Sequence, residues 1–223
     1  YADIAERSFQ DFVRAKREGK IPADCRFQID LVPAHSVIWL YLQDELHAPL
    51  DPVYNAAVKR EIEQIAARLP HDQIAIQFDV ASAVFARLER KDVSSYGKTK
   101  AETQASFARI LIDLADHVPP DIELLFHFCY GDSNHRHVVE PTDMADMVEM
   151  ANRLSEGIKR PIQLIHMPVP RNRSDDAYFA PLKNLKLGPE TELYLGLIHH
   201  NDASGDQARL AAIGIGHARA LDD

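Results

Sequence analysis

Five short apolar segments, rich in β-branched and aromatic residues, alternate along this chain with longer stretches of helical periodicity. That alternation restricts the fold more than any other feature. The segments lie at 26–32 (RFQIDLV), 73–80 (QIAIQFDV), 122–129 (IELLFHFC), 162–167 (IQLIHM) and 193–198 (LYLGLI). Each reads as a strand largely covered by other structure. The intervening helices have recognisable starts. Asp51-Pro52 reads as an N-cap followed by proline at the first helical position, opening a helix to about residue 69. Thr99 and Glu102 form a capping box ahead of a helix that stops before Pro119-Pro120. Pro141 and Thr142 mark the start of a helix whose apolar stripe is Met144, Met147, Val148, Ala151 and Leu154. Ser204 to Gln207 caps a last helix to about residue 220, and a first helix runs from 5 to about 17.

Strand–helix alternation at this period implies parallel strands joined by right-handed crossovers. No Gly-x-Gly-x-x-Gly turn follows any strand, which weakens a dinucleotide-binding sheet. A (β/α)8 barrel is favoured, because polar residues recur at the carboxyl ends of the strands, where barrel sites form. Eight units need about 250 residues. The expectation is therefore a single barrel domain over 1–223, α/β in class, with five units visible and incomplete at both ends. The start at Tyr1 instead of Met fits that expectation.

The net charge of −9 argues against nucleic acid as a partner, since phosphate binding needs a basic surface. No apolar run approaches the ~20 residues of a membrane span. Two cysteines, Cys25 and Cys129, exclude a disulfide scaffold and point to a reduced, cytoplasmic setting. Cys25 stands at the start of the first strand, at the wrong end for chemistry, and is expected to be buried.

Alternation along each strand separates two faces. In the second segment Ile74, Ile76 and Phe78 turn to the helices, leaving Ala75, Gln77 and Asp79 inward. In the third, Leu124, Phe126 and Phe128 face the helices, while His127 and Cys129 project together on the other side. Gln28 and Asp30 are the inward pair of the first segment, and His166 is the inward polar residue of the fourth. The fifth ends in His199-His200-Asn201-Asp202. Imidazole and thiolate are preferred zinc ligands, so His127 and Cys129 make half a metal site. An isolated H-x-C is more often a buried cysteine beside a core histidine. Asp30, Asp79, His127, Cys129, His166 and a histidine from the 199–200 pair make six inward polar groups at one end of a parallel set, which are harder to assign to packing.

These strings carry a resemblance. FHFCYGD resembles the H-x-C-Y metal segment of cobalamin-independent methionine synthase. IAIQFDVA is similar to that family's I-Q-x-D-E-P strand, and YLGLIHHNDAS to its later strand ending in a histidine. RFQIDLVPAHSVIW takes the place of its L-x-G-P-x-T element. The similarity covers most of the chain in order.

The resemblance implies a barrel holding a zinc ion that binds a small-molecule thiol as thiolate, with methyl transfer from a reduced methylfolate. It places His127 and Cys129 as zinc ligands and Asp79, with Asp30 nearby, at the substrate amino group. Val80-Ala81 replace the Glu-Pro that follows the aspartate in the family. His166 stands where the family has a glutamate ligand, and histidine is a competent replacement. The family's fourth ligand, a cysteine on a last strand, has no counterpart before Asp223, and a chain that continues beyond it is the favoured reading. A protonated histidine serves the folate nitrogen: the resemblance selects His199, strict alternation selects His200, and a bulge at the strand end reconciles the choice of His199.

Blander assignments complete the reading. His135 and His137, and Arg171 and Arg173, read as surface loops, and His35, His47, His71, His117 and His217 as structural or exposed. A metal-free barrel of the uroporphyrinogen decarboxylase type, or a degenerate barrel binding a small molecule without turnover, are the competing functions. Oligomeric state, acceptor and donor are left open by the sequence.

Overall fold

The computed structural model describes residues 1–91, 94–131 and 137–198. It is an α/β fold whose five strands form one all-parallel sheet in chain order. The strands are β1 (Phe27–Leu31), β2 (Ile74–Val80), β3 (Glu123–Phe128), β4 (Leu164–Pro168) and β5 (Glu192–Gly196). All five expected segments are strands, with ends displaced by at most two residues.

Helices α1 (Ala2–Arg17), α2 (Ala34–Ile38), α3 (His47–Arg68), α4 (Ser82–Arg90), α5 (Lys100–Ala115), α6 (Ala145–Gly157) and α7 (Asp176–Phe179) make up the rest. Among the described residues, no helix is long and apolar enough to cross a membrane. The capping box of α5 is complete: the Glu102 amide donates to Thr99 Oγ1 and the Thr99 amide to Glu102 Oε2, both at 3.2 Å.

Two helix starts differ from expectation for local reasons. Helix α3 begins at His47, so Pro52 lies inside it. Its missing N–H forfeits a single backbone bond near the first turn. Asp51 does not cap. Its Oδ1 accepts from Asn55 Nδ2 at 2.7 Å, and Asn55 Oδ1 accepts from the Ala34 amide at 3.1 Å, tying α3 to α2. Helix α6 starts at Ala145, three residues past Thr142, because the Thr142 amide is spent on Glu89 (2.9 Å) while Asp143 accepts from Ala145.

The main apolar core takes its strand residues from one face of the sheet. Ile29, Leu31, Ile74, Ile76, Phe78, Val80, Leu124, Phe126, Phe128, Ile165 and Met167 all pack there against the helices. Ring pairs Phe78–Phe126 and Phe85–Phe128 lock neighbouring strands and α4 together, with centroids 5.8 and 5.1 Å apart. Cys25 is exposed instead of buried. It lies in the extended lead-in to β1, where Lys16 reaches its carbonyl but no element covers the thiol.

His35, in the first turn after β1, is 1% exposed, packs on the Phe107 ring, and has no hydrogen-bond partner on either ring nitrogen. Burial pushes its pKa down to about 3. The unfolded chain takes up that proton near pH 6.5 and the folded chain does not. Stability is thus intact above pH 6.5 and drains as pH falls toward 3. Between pH 8 and pH 5 the wild type should lose about 2 kcal/mol more than His35→Leu in urea titrations. Equal losses in the two proteins would rule out this account of His35.

Candidate functional site

The second face of the sheet carries the polar residues, and strand register gathers several of them into a row. Asp79 on β2 pairs with His127 on β3, His127 with His166 on β4, and His166 with Tyr194 on β5. Each position was set by alternation: Phe78, Phe126 and Ile165, its neighbours in sequence, are fully buried in the core, while the row itself is half-buried or exposed. The row lies next to the carboxyl ends of β2 and β3, the end at which parallel sheets bind ligands, and at the middle of β4 and β5.

His127 and His166 touch. Their Nδ1 atoms are 2.8 Å apart, with ring planes 13° from parallel and centroids 4.7 Å apart. That nitrogen separation is too short for stacked faces and is a hydrogen bond between ring edges. One ring must supply an Nδ1–H and the other a lone pair, so the two nitrogens hold one proton between them. Burial, and then the charge of His127, push the His166 pKa down to about 4, which keeps that ring neutral at physiological pH.

Asp79 stands beside His127 in register. Its Oδ1 is buried with no hydrogen-bond partner among the described residues. Burial raises its pKa, His127 opposes the shift, and Asp30 adds to it. Asp30, one strand away, is held differently: its Oδ1 accepts from Gln77 Nε2 at 2.8 Å and Gln28 Nε2 at 3.0 Å. Two carboxyls thus share one face, one saturated by amides and one with an open acceptor.

Cys129 follows β3 on the same side as His127 by the pleat of the strand. Its amide donates to Val80 O at 3.1 Å, which prolongs the β2–β3 ladder by a residue. Its Sγ accepts from the Gly131 amide at 3.1 Å. Gly131 has φ +89°, a conformation that disfavours side chains, so the turn that presents this amide to sulfur depends on glycine.

The expected site residues therefore share a face, but they are not all drawn into one cluster. Among the described residues, no three of His, Cys, Asp and Glu stand together as a metal-holding group. His199, the expected proton donor, lies outside the described residues, as do His200 and His135. Arg173 is structural: it bonds Asp175 and the carbonyls of Pro141 and Thr142, and stacks on Tyr178 at 4.7 Å. His137 bonds Glu140 at 3.3 Å.

Tyr194 and Gly196 were missed as site residues. The signal was present, since reading Leu193, Leu195 and Leu197 as helix-facing turns residues 194 and 196 to the polar side. Comparison with protein-family models, curated proteins and solved structures finds no match for this chain.

Asp79→Asn keeps the side chain's shape and removes a charge that lacks a partner. A carboxyl whose folded pKa is raised loses stability as pH climbs from its unfolded value through its folded one. The variant should be as stable as wild type, or slightly more so, at pH 8, and its advantage should vanish near pH 4. A loss beyond about 1 kcal/mol at pH 8 in denaturant titrations would show that Asp79 accepts a bond it cannot spare.

Proposed function

We propose that this chain is the zinc-binding part of a (β/α)8 barrel methyltransferase, of the cobalamin-independent methionine synthase type. It would act on a small-molecule thiol with a reduced methylfolate as donor. The observation that carries the reading is the His127–His166 pair, two imidazoles in contact through Nδ1 on the face that also bears Asp79 and, by the pleat of β3, Cys129. Five parallel strands in chain order, with the core on one face and polar groups on the other, are what consecutive units of such a barrel supply.

Imidazole and thiolate are the donors zinc prefers. On this reading His127, His166 and Cys129 would come together around the ion in place of the His127–His166 bond, and one further ligand would complete four. The ion would supply one thing: it would hold the acceptor thiol as a thiolate at neutral pH.

The chain's own groups do the rest. The open acceptor of Asp79 would take the ammonium of the acceptor, a cation that also relieves the cost of the buried carboxyl. Gln28 and Gln77 hold the Asp30 side chain in place through their amides. His199 would give its proton to the folate nitrogen as the methyl–nitrogen bond breaks and the carbon–sulfur bond forms, since an unprotonated amine nitrogen would have to leave as an anion. An imidazole with an ordinary pKa of about 6.5 suits that transfer.

Metal analysis tests the reading first. The reduced protein should bind one zinc per chain. His127→Ala and Cys129→Ala should abolish binding, His166→Ala should weaken it, and His135→Ala should leave it intact. Methyl transfer from a methylated reduced folate to homocysteine should vanish in His199→Ala with zinc retained. Reduced wild-type protein that takes up no zinc would refute the proposal. Loss of turnover in His200→Ala alone would move the proton donor by one residue.

A further inference from the structure

The His127–His166 bond depends on where the His166 ring can lie, and that is decided on the adjoining strand. Gly196 pairs with Pro168 in the β4–β5 register, two residues beyond His166 on the same face. A Cβ built on Gly196 would stand 2.9 Å from His166 Nε2, 3.2 Å from its Cε1 and 3.3 Å from the Pro168 Cα. The first of these separations is shorter than carbon and nitrogen tolerate without a bond. The ring therefore occupies the volume that any other residue at 196 would fill.

Backbone conformation gives no separate reason for glycine. Gly19 and Gly131 are the glycines with positive φ among the described residues, and Gly196 is not one of them. Glycine inside a strand is otherwise unfavourable, and one common reason for it is close approach by a neighbouring group. Here that group is an imidazole edge.

We propose that Gly196 is a positioning residue: by carrying no side chain it lets the His166 ring lie against β5 with its Nδ1 on His127 Nδ1. Gly196 sets the limit on the Nε2–Cε1 edge and His127 takes Nδ1, so the ring is bounded at both of its nitrogens. A methyl group at 196 pushes the ring off that position. The consequence for metal affinity rests on the zinc reading above, whereas the ring geometry does not.

The test uses metal-free, 15N-labelled protein. A hydrogen bond between two ring nitrogens carries a scalar coupling across N–H···N, a signature that general stability does not produce. Wild type should show it between His127 and His166, and Gly196→Ala should lack it while its backbone amide spectrum stays folded. Gly196→Ala should also lower the melting temperature, on the order of 3–6 °C. In a His166→Ala background the same change should cost much less, because the ring it strikes is gone and only the close approach to the Pro168 Cα remains. Should Gly196→Ala fail to fold, a folded double variant close to His166→Ala in stability gives the same answer. Zinc affinity of Gly196→Ala should fall ~10–100-fold, as for residues that orient a ligand.

Absence of the coupling in wild type, its persistence in Gly196→Ala, or an equal thermal cost in both backgrounds would overturn the assignment. Wild type that binds no zinc defeats the zinc reading alone, since the coupling and the thermal cycle still decide Gly196.

Discussion

Parallel pairing of the strands in chain order is the constraint from which the rest follows. Because successive side chains alternate, each strand offers one row to the helices and one to the opposite face, and parallel register aligns those rows across strands. Ile76, Phe78, Leu124, Phe126 and Ile165 then form one continuous apolar surface for the helices. The same pairing leaves Asp79, His127, His166 and Tyr194 no choice but to stand side by side. A slip of one residue in any strand would exchange the two sets, sending imidazole into the core and phenylalanine out of it. The site is in this sense enforced by the burial of its neighbours.

The two imidazoles meet through a single Nδ1 proton, and burial holds His166 neutral. Asp30 accepts from two side-chain amides, while Asp79 has a buried acceptor that no group among the described residues satisfies. An unsatisfied buried acceptor costs stability, and such costs persist where a ligand later repays them. The thiol of Cys129 is oriented through a turn that only glycine makes easily.

Much of this was legible along the chain. Strand positions followed from apolar runs, and the face of His127, Cys129, Asp79 and His166 followed from counting by twos. The Thr99–Glu102 capping box was readable because both partners lie within one turn of each other. Where sequence reading missed, the deciding partner was distant. Helix α3 starts before Asp51 because Asn55, anchored on Ala34, engages that carboxylate. Helix α6 starts late because Glu89, 53 residues away, takes the Thr142 amide. Cys25 is exposed because no element happens to pass over it.

By itself, the sequence determined the class of fold, the number and order of these strands, and which residues share the polar face, since all of these rest on local periodicity. The tertiary structure alone decided that His127 and His166 meet through Nδ1, that Asp79 keeps an open acceptor while Asp30 does not, and that Gly196 yields its space to a ring on the next strand. Those outcomes depend on separations of a few tenths of an ångström between residues 30 to 50 positions apart, such as 127 and 166. No pattern of hydrophobicity encodes distances of that kind, because they are set only when the strands are paired and the helices pressed against them.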